Sequence, residues 1–204
     1  MSLIGLTGAH GTGKSTVLNG AKTYGVKVVE SSLSRNAQAM LGWENLKPAE
    51  ESEEKMWQLQ EAILTAMYDR DEAILGTHEF TLVDRTPADV WSYVDLWTTR
   101  LTAKGIKVDE HHKRVFKNRC RALASKYTHH IIVPISDAVP FIAETNRADL
   151  EGRDYHEKAV CQFVVAGGLS HLVLLQTGID ERVKKVATLI NTLQQSHRLF
   201  QNAS

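Results

Sequence analysis

The chain has 204 residues, enough for one α/β domain with a buried core and a small mobile insert. Its 24 basic and 24 acidic residues cancel to a formal net charge of zero, which argues against a protein held on nucleic acid by a broad basic surface. No apolar run approaches the roughly 18 residues of a membrane span, and the first residues lead into a strand pattern without a signal-peptide shape, so a cytoplasmic protein is expected.

The first element is the apolar run Leu3 to Thr7, read as a short buried strand. Behind it stands Gly8-Ala-His-Gly-Thr-Gly-Lys14-Ser15, which fits the phosphate-binding pattern G-x-x-x-x-G-K-[ST], and a helix-forming run, Thr16 to Ala21, follows. Gly8, Gly11 and Gly13 let the backbone fold close around a polyphosphate with its amides pointing inward. The helix N-terminus adds partial positive charge, and Lys14 supplies a mobile full charge for the outer phosphates. Ser15 offers its hydroxyl to a Mg2+ ion bridging the β- and γ-phosphates. Gly8, His10, Gly11, Thr12, Gly13, Lys14, Ser15 and Thr16 are therefore the expected cofactor-binding set, with ATP and Mg2+ as cofactors. His10 belongs to it by position and carries no assigned chemical role.

The second strand is expected over Val26 to Glu30, and the hydroxyls of Ser31-Ser32 start a helix that fades at Gly42. Glu50 to Leu75 is the longest helical stretch, with Met56, Leu59, Ile63, Met67 and Ile74 on one stripe; Glu51, Glu54, Lys55, Glu61, Asp69 and Arg70 read as its solvated side. A third strand, Phe80 to Asp84, leads to Thr86-Pro87, a cap followed by a first-turn proline. Val90, Val94, Trp97 and Leu101 then repeat at helical spacing up to Gly105. Glu110 to Tyr127 is helical again, and its Lys113, Lys117 and Arg121 read as a solvated face rather than a nucleic-acid contact. His130 to Ile135 and Leu172 to Gln176 are the fourth and fifth strands. Val183, Val186, Ile190 and Leu193 mark a closing amphipathic helix, with a frayed polar tail from Gln201.

Five short apolar runs separated by helical material predict an α/β fold with a parallel sheet covered on both faces. Cys120 and Cys161 lie outside metal-ligand spacing and read as buried thiols in a reducing compartment. His111-His112 and His129-His130 lack metal-site geometry and read as surface and strand-end residues. Trp91 and Tyr93 are candidates for stacking on a base, with the core as the plainer reading.

In open α/β sheets ligands bind at the C-terminal ends of the strands, so those ends hold the remaining candidates. The second strand ends in Glu30, with Arg35 shortly after; the third ends in Asp84-Arg85. A carboxylate there can hold a metal's water shell or take a proton from an attacking oxygen, and an arginine can clamp a phosphate. Between the fourth and fifth strands, Glu144 to Asp154 is polar and carries Gly152, Arg147 and Arg153. It is expected to lie in a mobile lid over residues 141–160 that brings positive charge over the γ-phosphate and excludes water.

Gly8 to Thr16, the Glu30 to Arg35 pair, the Asp84-Arg85-Thr-Pro-Ala-Asp89 run and the lid arginines together resemble the P-loop nucleoside and nucleotide kinases, in particular the AAA-like kinases related to ribosylnicotinamide kinase and, more distantly, thymidylate kinase. The resemblance implies one kinase domain over residues 1–204 and a five-stranded sheet in the order 2-3-1-4-5. It gives Asp84 a place near the metal or the proton and Arg85 a place on the acceptor or the transferred phosphate. It also places Thr177-Gly178 near the adenine.

The expected catalytic residues are Lys14, Asp84, Arg85, Arg147 and Arg153; Glu30, Arg35, Arg85 and Asp89 are expected on the substrate, and Ser15 and Asp84 at the metal. Two arginines beside the acceptor, Arg35 and Arg85, favour an acceptor that already bears phosphate. The expected reaction is thus transfer of the γ-phosphate of ATP to a nucleoside monophosphate, a deoxynucleotide first. A nucleoside, a ribosylnicotinamide-type acceptor or a modified base in DNA is the alternative, and an ATPase or switch a further one. The expected partner is a small-molecule nucleotide, with neither nucleic acid nor membrane; a homodimer stays open.

Overall fold

The computed structural model describes residues 3–75, 79–139, 149–174 and 176–202. β1 (Leu3–Thr7) is buried along its whole length, and the sheet is built outward from it. In chain order follow α1 (Lys14–Lys22), β2 (Lys27–Val29), α2 (Leu33–Met40), α3 (Lys47–Glu51), α4 (Glu53–Leu75) and β3 (Thr81–Asp84). Then come α5 (Pro87–Ala103), α6 (Glu110–Ala124), β4 (His129–Ile132), α7 (Leu150–Ala166), β5 (His171–Val173) and α8 (Ile179–Asn202). The five strands are parallel, in the order β2-β3-β1-β4-β5, as the resemblance implied.

Register fixes what meets at the C-terminal edge. Leu6 of β1 lies opposite Asp84 of β3, and Thr7 opposite Ile132 of β4, so the loop after β1, the Asp84-Arg85 corner and the segment after β4 emerge side by side. Alternate residues of the central strands face opposite layers. Ile4, Leu6, Leu82 and Ile131 pack with Val17 and Leu18 of α1 and Val183, Val186 and Ile190 of α8. The opposite layer is thicker: a second cluster joins Met56, Leu59 and Met67 of α4, Trp97 and Leu101 of α5, Phe116 of α6 and Phe163 of α7. Gly5 admits Thr86 and Tyr127 against β1, since a Cβ there would lie 2.2 Å from Thr86 Cγ2 and 2.8 Å from the Tyr127 ring.

Several expected boundaries move. The stretch Glu50 to Leu75 is broken at Ser52, whose φ of −140° and ψ of 126° are extended; Pro48 opens the short α3 before it. β1 keeps the expected Leu3 to Thr7 and β3 ends at Asp84 as expected, whereas β2, β4 and β5 stop short of their apolar runs because the last residues of those runs already turn into loops. Residues 150–160, expected within the lid, form the first part of α7, where Gly152, Arg153 and His156 are buried. Asp149 caps that helix, accepting from the Gly152 amide at 2.8 Å. The lid residues 141–148, Arg147 among them, lie outside the described residues. α8 runs to Asn202 rather than fraying from Gln201. His129 and His130 open β4 as strand-end residues, with His130 fully buried, and Cys161 is only partly covered whereas Cys120 is buried.

Candidate nucleotide site

The loop between β1 and α1 needs backbone conformations that side chains resist. Gly8 has φ 138°, and a Cβ on it would lie 2.4 Å from the Val133 carbonyl oxygen; Gly13 has φ 86°, and its Cβ would lie 2.5 Å from Ile179 Cδ1. Glycine at both positions lets the loop nest between β4 and the start of α8. Gly13 also caps α1, where its carbonyl accepts from the Val17 amide at 2.9 Å. The first-turn amides of α1 follow directly on this loop, and amides at a helix N-terminus favour an anion. Ser15 and Thr16 are exposed there. Lys14 is 6% exposed; its ammonium donates to the Gly8 carbonyl at 2.7 Å and to the Ala9 carbonyl.

Asp89 connects this loop to α5. Its carboxylate accepts from the Thr7 hydroxyl at 2.7 Å, the Gly8 amide at 3.2 Å, the Arg85 guanidinium at 2.9 Å and the Thr86 amide at 2.9 Å. The last of these, with the Thr86 hydroxyl accepting from the Ala88 amide, completes a capping box at the N-terminus of α5. Burial alone would raise this carboxyl, but Arg85 and then His156 outweigh it and hold it well below the usual carboxylate range. Asp89 was expected on the substrate. At 2% exposure, with both oxygens engaged by protein donors, it instead organises the residues around the site.

Arg85 sits at φ 66°, a left-handed conformation for a residue with a side chain, which costs on the order of 1–3 kcal/mol. Two bonds hold it there: its amide donates to the Leu6 carbonyl at 3.0 Å, and Arg70 donates to its carbonyl at 3.3 Å. This turn aims the guanidinium back over the phosphate loop, where it donates to the Gly8 carbonyl at 3.1 Å. Asp84, half-buried, has its carboxyl raised by burial, with Arg85 and Lys14 opposing.

Arg70 was read from the sequence as part of a solvated face. Its side chain is 9% exposed, and the guanidinium donates to the Asp84 carbonyl at 2.6 Å, the Ser31 hydroxyl at 2.9 Å, the Tyr127 hydroxyl at 2.9 Å and Asp71. Asp71 is itself wholly buried and accepts from the Tyr127 hydroxyl at 2.5 Å. One arginine thus fixes the strand-end backbone on which Asp84 and Arg85 stand.

The other flank comes from α7 and α8. Arg153, expected among the catalytic residues, is brought to the phosphate loop: its Nε donates to the His10 carbonyl at 3.1 Å, and the residue is 7% exposed. Arg182 of α8, which the sequence reading did not single out, is 1% exposed and donates to the Thr12 carbonyl at 3.0 Å and the Pro134 carbonyl at 3.3 Å. A cavity of about 520 Å³ lined by Thr177 to Glu181 opens beside that end of the loop.

Glu30 and Arg35 are not joined to this cluster. Glu30 is about half exposed and pairs at 2.5 Å with Lys22 of α1, and Arg35 is exposed on α2. Trp91 and Tyr93 take the plainer reading. Trp91 is 5% exposed under the Lys117 ammonium, 4.7 Å from its ring, and the Tyr93 ring lies 4.4 Å from that of His156. On α6, Lys113 pairs with Asp95 at 2.9 Å and Arg119 with Glu61 at 2.6 Å. Among the described residues no group of three His, Cys, Asp or Glu side chains could hold a metal ion on its own. A Mg2+ ion carried on nucleotide phosphates needs few protein oxygens, and the exposed Ser15 hydroxyl with the Asp84 carboxylate fits that requirement.

A glycine-cornered amide loop at the end of the central strand of a parallel 2-3-1-4-5 sheet defines a P-loop nucleotide-binding protein. The chain belongs to the AAA domain family, whose model matches residues 3–182. No curated protein matches it by sequence. Among solved structures, its fold is similar to that of deoxyadenosine kinase from M. mycoides with bound dATP, at 16% identity and TM-score 0.65, over 94% of this chain and 100% of that one. The same kinase with its products dCMP and dCDP matches at 13% identity and TM-score 0.65, over 93% and 99%. YorR protein from Bacillus subtilis, in complex with phosphorylated GDP, matches at 15% identity and TM-score 0.51, over 95% and 98%.

Proposed function

We propose that this protein is an ATP-dependent kinase that moves the γ-phosphate of ATP to a nucleoside or nucleotide. The observation that carries the reading is the Asp84-Arg85 corner, held by Arg70 beside the phosphate loop, with Lys14 among the charges acting on Asp84. A loop that only bound nucleotide has no need of a half-buried carboxylate there with its proton affinity raised. Such a carboxylate is a suitable acceptor for the hydroxyl proton of an attacking nucleophile. The acceptor oxygen forms its bond to the γ-phosphorus, the bond to the β-phosphate oxygen breaks, ADP leaves, and the hydroxyl proton passes to Asp84. Lys14, the loop amides and Arg153 supply positive charge around the transferring group. Ser15 and, through the ion's water shell, Asp84 would hold a Mg2+ ion, which would supply positive charge at the phosphates.

The acceptor is the finer question. The case for a monophosphate rests on two arginines available to clamp it. Arg85 is committed to Asp89 and the Gly8 carbonyl, and this supports a nucleoside hydroxyl as the acceptor instead. The fold shared with deoxyadenosine kinase accords with that reading. A monophosphate remains the second reading, favoured by the exposure of Arg35 on α2 near the end of β2.

The test is ATP turnover across a panel of nucleosides, deoxynucleosides and their monophosphates. Stimulation by one class identifies the acceptor; turnover unchanged by every one of them refutes the kinase reading. Lys14→Ala is expected to lower transfer by at least about 100-fold. Asp84→Asn is expected to lower kcat far more than it weakens ATP binding, and a pure loss of affinity would make Asp84 a positioning residue.

A further inference from the structure

α7 turns one face toward the phosphate loop. On it, at positions i, i+3 and i+4, stand Arg153, His156 and Glu157. Arg153 donates to the His10 carbonyl, and Glu157 accepts from the Ile135 amide at 2.5 Å. Between them the His156 ring is wholly buried, with Nδ1 2.8 Å from the Ser92 hydroxyl and Nε2 3.4 Å from Asp89 Oδ1.

These are the residue types of a nucleophilic triad, but Ser92 is 0% exposed and no substrate can reach it. The arrangement must act on the protein itself. The hydrogens can be counted. Ser92 has one, with two acceptors in reach, the Asp89 carbonyl at 2.7 Å and His156 Nδ1. The Asp89 carboxylate fixes the imidazole: a lone pair on Nε2 would face an anion, so Nε2 carries the hydrogen, and the Ser92 hydrogen is shared between the Asp89 carbonyl and Nδ1. Oδ1 of Asp89 is thereby shared by three donors, His156, the Gly8 amide and the Arg85 guanidinium. Withdrawing one of them changes what the other two feel.

We infer that His156 is a positioning residue that ties α7, and Arg153 on it, to the phosphate loop and to Arg85 through the Asp89 carboxylate. The inference rests on the kinase reading for its effect on turnover, and on nucleotide binding alone for its coupling. His156→Phe keeps the ring's bulk and removes both hydrogen bonds; His156→Gln restores a donor that reaches toward Asp89. His156→Phe is expected to lower kcat by about 10- to 100-fold, as loss of an outer-shell partner typically does, with KM for ATP within about 3-fold and most of the rate regained in His156→Gln. In nitrogen-detected spectra of the wild-type imidazoles, His156 is expected as the neutral Nε2–H tautomer, with its signals shifting when ATP and Mg2+ are added.

A His156→Phe enzyme with wild-type kcat overturns the inference whatever its thermal stability, and so do imidazole signals unmoved by saturating ATP. Should His156→Phe not fold, His156→Gln and the wild-type spectra still decide. If the wild type phosphorylates no acceptor, the kinase reading falls, and the ATP-dependent imidazole shift alone judges the coupling.

Discussion

Asp89→Asn changes no shape, yet it should be among the most damaging single substitutions in the chain. The carboxylate receives four close donors, two on each oxygen: the Gly8 amide and Arg85 on one, the Thr7 hydroxyl and the Thr86 amide on the other. An asparagine must present its NH2 to one of these pairs. Either way a backbone N–H loses its acceptor, at about 1–3 kcal/mol, and Arg85 loses its counter-charge. Breaking a buried ion pair by removing one partner costs about 3–5 kcal/mol, and since the two effects share the same atoms the larger range is the working figure. At about 2–4 °C per kcal/mol for a domain of this size, Tm should fall by about 6–20 °C. The pH dependence has a definite sign. Asp89 is held below its unfolded value of about 3.9, so its contribution is fully present above that pH and is lost as pH falls below it. The stability difference between wild type and Asp89→Asn should therefore stay constant from about pH 5 to 8 and shrink below about pH 4. Thermal and urea unfolding followed by circular dichroism at several pH values measure both quantities. A loss below about 1 kcal/mol, or a difference that persists undiminished at pH 3, would refute the role given to this carboxylate.

Two further predictions concern groups on the opposite side of the sheet from α1. Arg70→Ala should cost about 3–5 kcal/mol, because Asp71 is left buried without its cation, and the double variant Arg70→Leu/Asp71→Leu should recover part of that loss in the same unfolding assay. The single variant should also lower turnover by loosening the backbone under Asp84; unaltered kinetics would mean that the corner is held without it. His130 is pushed down to about 4 by burial, so the unfolded chain takes up its proton first, and stability should decline as pH falls from about 6.5 to 4. His130→Phe should flatten that decline, and an unchanged slope would assign it to other groups.

What the sequence made legible was whatever the backbone itself demands. The spacing of Gly8, Gly13, Lys14 and Ser15 is a local requirement of one loop, and Thr86-Pro87 is a local requirement of one helix start. The apolar stripe of Met56, Leu59, Ile63 and Met67 follows from helical geometry and is buried as read. Arg70, Asp71, Asp89 and His156 were misread or missed because a polar residue's burial depends on partners 14 to 82 positions away that no local pattern reveals. Arg70 lies one turn after the buried Met67, beside the stripe rather than opposite it, and that offset was the available hint. α7 had a readable cap in Asp149 and apolar residues at Ala159, Val160, Phe163 and Val164, but its charged first turns resembled a loop.

These misreadings share a cause that bears on how the site is built. A P-loop can be specified by eight consecutive residues, yet the groups around it cannot, since each must be brought from another strand or helix and kept there against its own desolvation. The chain does this with charge enclosed in the protein. Arg70 is neutralised by Asp71 and fixes the carbonyls of Asp84 and Arg85; Asp89 is neutralised by Arg85 and fixes the amides of Gly8 and Thr86. Each enclosed ion pair offers weak net stability but strict geometry, because moving either partner strands a charge in the interior. Local unsatisfied cost, rather than attraction to a ligand, then keeps Asp84 and Arg85 turned toward the loop at a left-handed corner that an unsupported chain would relax.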